Sequence, residues 1–253
     1  MEFIQGEKFR ELANNLDIYY CNTHEVNNFF LNQNITNDFI LISHNSDGKI
    51  IDSNFNFPNA NAKLIPKNLI KWYAQNVNIK HDKIESIPIG MENSQWFPEI
   101  GKINKIKEKN KETKNYKNLL YINHLIGTNP KERQEPYDLF CDKSYVTCFN
   151  GENGMDYDLF IDNIYNHKFL ICPEGNGIDT HRTWECLYLN TIPIEKRNIN
   201  NSFYEDLPIC FVDEWTEINE EFLNMEYERI KSKIYNLEKL DFKYWINKII
   251  TKE

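Results

Sequence analysis

The sequence predicts an α/β protein with two parallel sheets, each with its own helices. Short apolar runs alternate with amphipathic segments over roughly the first 95 residues, which is the pattern of a parallel sheet. A second alternating series starts at Asn118, after a stretch dominated by lysine, glutamate and asparagine that has little to bury. We therefore expect two domains, residues 1–98 and 118–253, joined by a linker over residues 99–117.

The first domain is expected to bind a ligand at the end of its clearest strand. Residues 38–43 form a near-continuous apolar run, as in a central parallel strand, and the polar loop His44–Gly48 follows. Because α/β proteins bind ligands at the carboxyl ends of such strands, His44 and Asp47 are candidate site residues. A simple turn is the alternative, since Asn, Asp and Gly are turn formers. The other elements predicted here are helices at residues 7–15 and 65–76 and strands at residues 17–21 and 84–89.

The second domain contains a strand, a glycine loop and a helix in succession. The apolar run Phe169–Cys172 is too short for a helix and indicates a buried strand. Gly175 and Gly177 follow it and let a ligand approach the main chain closely. The next helix is predicted to begin near His181.

The start of this helix suits a phosphate or a diphosphate. Asp179 or Thr180 is the expected N-cap, and a helix start presents unpaired N–H groups and a partial positive charge. His181 and Arg182 add cationic side chains, and Glu185 shares their side of the helix one turn later. These ionisable groups are more than capping requires, although an ordinary surface ion pair between Arg182 and Glu185 is the alternative.

The remaining elements of the second domain follow the same alternation. Strands are predicted at residues 118–122, 145–149, 191–194 and 209–212, and helices at residues 157–166 and from residue 220 onward. The polar loop after the first of these strands leads to Arg133, which falls in the first turns of a helix as a further cation. In the C-terminal helical region, Ile230, Ile234 and Leu237 are expected on one apolar stripe.

Composition limits the classes of function. The net charge of −9 argues against a broad nucleic-acid-binding face, because such proteins need clustered positive charge. The six cysteines contain no CxxC pair and are expected to be free core thiols in a reducing compartment. No apolar run approaches the ~20 residues that span a bilayer, and the N-terminus lacks a signal-peptide pattern. We expect a soluble, cytoplasmic protein, or a domain of a longer one.

One competing motif is Asp156-Tyr157-Asp158. A DxD of this kind binds Mn²⁺ or Mg²⁺ in single-domain nucleotide-sugar transferases, where the metal bridges the donor diphosphate. Here the acidic pair begins an amphipathic helix, so helix capping is the preferred interpretation and no metal is expected.

At this point the residues resemble a family. The segment Cys172–Glu185, closing on Thr191–Ile194, is similar to the donor-binding half of exostosin-like glycosyltransferases of the GT-B type, particularly the short versions in large DNA viruses and microbes. Ile87–Ser94 resembles the segment by which such proteins pass from the first Rossmann-like domain to the second. The likeness spans about residues 38–215, and the chain is shorter than typical GT-B enzymes.

The resemblance implies two Rossmann-like domains that hold a nucleotide sugar in their cleft without a metal. The implied donor-binding residues are Arg133, Glu174, Gly175, Asn176, Gly177, Thr180, His181, Arg182 and Glu185. The implied reaction is an inverting transfer from a UDP-sugar, with UDP-xylose one candidate, to a hydroxyl of a glycan or glycoconjugate. The candidate for the general base is Asp47, preferred over His44, with Glu92 and Glu174 the next residues to consider.

Two alternatives to a transferase stay open at this stage. A GT-B-like epimerase would share the nucleotide half and need no acceptor, and a non-catalytic nucleotide- or glycan-binding module would lack turnover. A viral member of the family would act in the host cytoplasm.

Overall fold

The structure is a computed structural model, and it describes residues 1–13, 17–32, 34–51, 65–93, 101–149 and 156–251. Two sheets organise these residues, and every strand pair in both sheets is parallel. The prediction of an α/β fold with two parallel sheets is therefore confirmed.

The first sheet has four strands in the order β1-β2-β3-β4. They are β1 (Ile18–Asn22), β2 (Phe39–His44), β3 (Leu69–Ala74) and β4 (Ile84–Ser86). Helices α1 (Gly6–Leu12) and α2 (Val26–Asn32) pack on this sheet. Every residue of β2 is buried, as the apolar run in the sequence predicts for a central strand.

The second sheet has five strands in the order β6-β5-β7-β8-β9. They are β5 (Asn118–Ile122), β6 (Val146–Cys148), β7 (His167–Ile171), β8 (Ile192–Lys196) and β9 (Cys210–Val212). The helices of this half are α4 (Pro130–Phe140), α5 (Tyr157–Tyr165), α6 (His181–Tyr188) and α7 (Glu220–Lys231). Helix α6 begins at the residue predicted for it.

The helix predicted over residues 65–76 is wrong, because β3 occupies Leu69–Ala74. Trp72 and Tyr73 are both fully buried, but in different clusters of the core. Successive side chains of a strand point to opposite faces, so a strand covered on both faces buries neighbouring residues in this way. The apolar residues of this run also satisfy helical spacing, which is why a short apolar run is ambiguous.

The lysine-rich segment between the sheets is helical and more buried than the sequence predicts. Helix α3 spans Gly101–Lys109, and its Ile106 is fully buried. Lys109 forms an ion pair with Asp162 of α5 at 2.6 Å. The lysines thus contact acidic side chains of a neighbouring helix, which a composition-based assignment of a linker does not take into account.

The prediction of six free cysteines is wrong for one pair. Cys141, at the end of α4, and Cys148, at the end of β6, form a disulfide with a Cα–Cα distance of 5.3 Å. Seven positions separate the two residues along the chain, and this spacing alone does not reveal the pairing. The other four, Cys21, Cys172, Cys186 and Cys210, are buried free thiols.

The C-terminal region differs from the predicted stripe and contacts the first half. Helix α7 ends at Lys231, so Ile234 and Leu237 lie beyond it, and Ile234 is fully exposed. Helix α8 (Phe242–Thr251) returns to the first sheet, where the Tyr73 hydroxyl donates to Lys248 O at 3.3 Å. Over the part of the chain described, no helix combines the length and apolar character needed to cross a bilayer.

Candidate functional site

The carboxyl edges of the two sheets face each other. Asn176, in the glycine loop, donates to Asp47 Oδ2 at 3.3 Å. Asn76, which follows β3, donates to Ser46 O at 3.1 Å and accepts from the Asp179 N–H at 2.9 Å. The loop after β2 therefore faces the loop after β7, as the sequence predicts for two parallel sheets that meet across a cleft.

A cavity of about 460 Å³ lies at the carboxyl edge of the first sheet, and we call it the strand-end cavity. Its lining residues are Gly6, Arg10, Asn22, His44, Asn45, Ser46, Asp47, Gln75, Ile89, Glu92, Asn93 and His181. Each of the four strands of the first sheet contributes a residue at or just beyond its carboxyl end. His181 is the contribution of the second half, from the first residue of α6.

A histidine and a carboxylate from opposite halves form an ion pair in this cavity. His181 Nε2 lies 3.3 Å from Glu92 Oε2, and its Nδ1 lies 2.7 Å from Gly90 O. Burial works against the charged imidazolium, but the hydrogen bond and charge of Glu92 and the Gly90 carbonyl raise the pKa of His181 above its ordinary value. Both ring nitrogens face acceptors, so the protonated form fits the site.

The other candidate histidine, His44, is buried and neutral. Its Nδ1 accepts from the Asn45 N–H at 2.7 Å, so Nε2 carries the proton and donates to Pro88 O at 3.0 Å. Burial lowers the pKa of His44 to about 4. Because both ring nitrogens are bonded to the main chain, His44 positions the loop and has no nitrogen left to accept a proton from a ligand.

The other candidate base, Asp47, is exposed at the tip of the same loop. Its carboxylate lines the strand-end cavity and faces the glycine loop through Asn176. Of the two preferred candidates for the base, Asp47 and His44, Asp47 is thus the one that a ligand in the cavity can reach.

Asp179 links the two halves below the glycine loop. Its Oδ2 accepts from the Ile89 N–H at 2.7 Å and its Oδ1 accepts from Trp184 Nε1 at 2.9 Å. Burial raises the pKa of Asp179 from 3.8 to about 6. The N-cap itself is Thr180, whose Oγ1 is buried and has no hydrogen-bond partner in the described part of the chain.

The two glycines of the loop are required by close approach of other groups. A Cβ on Gly175 would lie 2.7 Å from Nη2 of Arg133, and one on Gly177 would lie 2.8 Å from Nδ2 of Asn76. Side chains from both halves therefore pack directly on the main chain of this loop, and any larger residue would displace them.

Arg133 is a buried cation behind the glycine loop. It is 4% exposed, and it donates to Glu174 O and Leu125 O, each at 3.0 Å. Burial lowers its pKa to about 10, and the charge of Arg182 acts in the same direction. Within the described ranges, neither arginine forms an ion pair with a carboxylate, so their charge is not neutralised by a neighbouring acid there.

Arg182 extends away from His181, toward the loop after β5. It donates to Asn123 Oδ1 at 3.2 Å and to Asn123 O at 3.4 Å. Its charge, together with that of Arg133, also disfavours protonation of the buried His124, whose pKa is lowered to about 3 mainly by burial. The structure therefore groups Arg182 with Arg133, while His181 belongs to the strand-end cavity.

The remaining donor-side candidates lie around this region. Glu174 is half-buried, and burial raises the pKa of its carboxyl above the ordinary value, while Asn198 donates to it at 3.4 Å. Glu185 is buried on α6, and its charge acts on His181. Neither carboxylate lines the strand-end cavity.

The DxD motif has the structural role that the sequence favours. The Asp156 side chain accepts from the main-chain N–H groups of Asp158 and Leu159 and so caps α5. Asp158 forms an ion pair with Lys105 of α3. In the residues described, no three His, Cys, Asp or Glu side chains converge in a way that could hold a metal ion.

Among the residues of the site that sequence reasoning missed are Gln75, Asn76 and Glu195. Gln75 and Asn76 were hidden inside a predicted helix, although a polar pair that ends an apolar run is also the signal of a strand end. Glu195, on β8, accepts from Thr183 and, at 3.1 Å, from Asn201. Burial raises the pKa of Glu195 to about 7. The strand that leads to Glu195 was predicted, but no local pattern shows that the Glu195 side chain is buried.

Comparison with family models and with curated proteins gives no match for this chain. The likeness to exostosin-like glycosyltransferases therefore rests on the motif residues alone.

Proposed function

We propose that the protein is a metal-independent glycosyltransferase of GT-B type that moves a sugar from a nucleotide-diphosphate sugar to a hydroxyl of a glycan. The observation that carries this proposal is the meeting of two sheets at their carboxyl edges. A polar cavity with an exposed carboxylate lies on one side, and a glycine loop backed by two arginines lies on the other. A transfer between two bound substrates needs a place for the acceptor and a place for the donor, and these two features supply them.

The donor is assigned to the second half. The start of α6 presents main-chain N–H groups, and Arg133 and Arg182 add two charges without a paired acid in the described residues. A diphosphate leaving group develops negative charge as its bond to the sugar breaks, and fixed cations stabilise that charge. A UDP-sugar is the donor that the resemblance favours.

The acceptor is assigned to the strand-end cavity. An acceptor hydroxyl attacks the anomeric carbon, its proton passes to the Asp47 carboxylate, and the bond to the diphosphate breaks so that the nucleotide leaves with the electron pair. Direct displacement of this kind inverts the anomeric centre. A cavity of about 460 Å³ beside the donor loop gives a second substrate room to bind, which an epimerase acting on one nucleotide sugar does not need.

The test is a thermal-shift panel of nucleotide sugars, followed by an assay of nucleotide release. A donor at 100 times its dissociation constant stabilises the native state by about 2.7 kcal/mol, which raises the melting temperature by roughly 5–10 °C at this chain length. The bound donor should then release UDP only when a glycan acceptor is added. Binding without release on any glycan of a broad array would contradict the transferase and leave a binding module. Release without an acceptor, with an altered sugar as product, would indicate an epimerase.

A further inference from the structure

Three polar side chains lie side by side at the carboxyl edge of the first sheet. Asn22 of β1 pairs in register with His44 of β2. Gln75 directly follows Ala74, the register partner of Ser43, and its N–H donates to Ser43 O at 2.9 Å, which continues the ladder. Because adjacent strands are about 4.8 Å apart, Asn22, His44 and Gln75 form a row, and all three line the strand-end cavity.

Gln75 differs from the other two in the bonding of its side chain. Asn22 Oδ1 accepts from Arg10, and both ring nitrogens of His44 are bonded. Gln75 is only 1% exposed, yet its Oε1 has no hydrogen-bond partner in the described part of the chain. Buried amide oxygens without a partner are costly and rare in native structures. A ligand that donates a hydrogen bond in the cavity would remove that cost.

The cavity indicates what kind of ligand makes this bond. Gln75 Oε1 is an acceptor, so its missing partner is a donor such as a hydroxyl. The surrounding groups are mostly amides, carboxylates and histidines, and Ile89 is the aliphatic side chain among them. Many polar groups around a small cavity fit a ring that carries several hydroxyls, and they do not fit a lipid chain or an aromatic ring.

We propose that Gln75 binds a ring hydroxyl of the acceptor sugar, while Asp47 faces a second hydroxyl of the same ring, which is the one that attacks. This assignment rests on the proposed function, because it takes the strand-end cavity as the acceptor site. It makes Gln75 a specificity-determining residue. A site built to bond a hydroxyl rejects a ligand that lacks it, since the buried oxygen is then left unpaired.

The first test is stability. Gln75→Met keeps the length of the side chain and removes the unpaired amide oxygen, so the melting temperature of the unliganded protein should stay equal or rise by about 2 °C or more. Gln5→Met is the matched control, because the Gln5 amide is buried and satisfied, with Nε2 donating to Glu92 O at 3.0 Å. That variant should melt lower. A fall for Gln75→Met as large as that for Gln5→Met would make Gln75 a structural residue and overturn the proposal.

The second test is binding, observed by NMR on the wild-type chain in the presence of UDP. The probes are the methyl pyranosides of xylose, glucose, galactose and N-acetylglucosamine. At least one should shift the side-chain amide signals of Gln75, which are identified by their absence in Gln75→Met. The variant should bind that probe about tenfold or more weakly. If no probe moves these signals, or if the variant binds the probe as well as the wild type does, the proposal is overturned.

The outcomes separate this inference from the proposed function. If pyranosides shift the Gln75 amide but no nucleotide sugar binds, the sugar site stands and the transferase fails. If nucleotide sugars bind and are turned over while the Gln75 signals stay unmoved by every pyranoside, the transferase stands and the role of Gln75 is refuted.

Discussion

The buried carboxyl of Asp179 should make the protein less stable at neutral pH than an otherwise identical chain with a neutral group there. Burial raises the pKa of Asp179 from 3.8 to about 6. Between these values the folded protein keeps a proton that the unfolded chain has released. The contribution of this group to the free energy of unfolding is therefore fully present below about pH 4 and is lost as the pH rises through about 6.

The size of the effect follows from the two pKa values. Their difference corresponds to about 3 kcal/mol at neutral pH. Asparagine removes the titrating group but has only one acceptor oxygen, so Asp179→Asn loses one of the two hydrogen bonds from the Ile89 and Trp184 N–H groups at every pH. The stability of the variant relative to the wild type should nevertheless rise by up to about 3 kcal/mol between pH 4 and pH 7.5.

The assay is urea unfolding of both proteins at several pH values from 4 to 7.5. The slope of the free energy of unfolding against urea concentration should be the same for both proteins at each pH. Only the difference in the free energy of unfolding between the two proteins is informative, because other buried groups also make stability depend on pH. Glu195 changes the free energy of unfolding with pH in the same direction as Asp179, because its pKa is raised to about 7. The buried neutral His44 and His124, with lowered pKa values, lose stability as the pH falls and so contribute in the opposite direction.

A matched control is Asp156→Asn, an exposed helix cap for which Asn serves about as well as Asp, so stability should change little. The reasoning is refuted if the difference in stability between Asp179→Asn and the wild type does not change with pH. That result would mean that the Asp179 carboxyl has the same pKa in the folded protein as in the unfolded chain.

Three further predictions concern the reaction. Arg182→Ala should weaken UDP binding tenfold or more in calorimetry, as expected for loss of ~1.5–3 kcal/mol, and unchanged affinity would remove Arg182 from the donor site. Transfer should survive EDTA, because Asp156 and Asp158 are used in capping and an ion pair, and restoration of lost activity by Mn²⁺ would reverse that view. Asp47→Asn should keep UDP affinity and lower the rate of transfer by ~100-fold, whereas His44→Ala should lower the rate less. Because the pKa of His44 is lowered to about 4, the transfer rate of the wild type should show no ionisation of His44 near pH 6.5. A normal rate for Asp47→Asn would move the base to Glu92 or Glu174.

Part of the fold was predictable because the strands are buried on both faces. Residues 38–43 and 118–122 are apolar runs bounded by polar loops, and both are strands. The glycine loop and the start of α6 at His181 were predictable because turn and helix-start preferences are local. The helix predicted over residues 65–76 was wrong, because an amphipathic helix and a strand buried on both faces produce similar apolar patterns over a few residues.

Part of the site was predictable for a related reason. Asp47 and the glycine loop follow recognisable strands, and parallel strands place their following loops on one edge. The sequence did not predict that His181 and Arg182 would contact different parts of the site. His181 and Arg182 are neighbours in sequence, but one pairs with Glu92 from the first half and the other bonds Asn123 after β5. Which neighbour each side chain meets depends on the packing of the second sheet against the first.

The sequence by itself determined the alternation of strands and helices, the order of the two sheets along the chain, and the loops that follow their strands, because these depend on local periodicity and turn chemistry. The tertiary structure alone decided which groups are buried and what they contact. Burial moves the pKa of Asp179 and His44 in opposite directions, and it leaves Gln75 with an unpaired oxygen in the strand-end cavity. These properties arise from desolvation and from contacts between residues far apart in sequence, such as Ile89 with Asp179, and no local pattern encodes them.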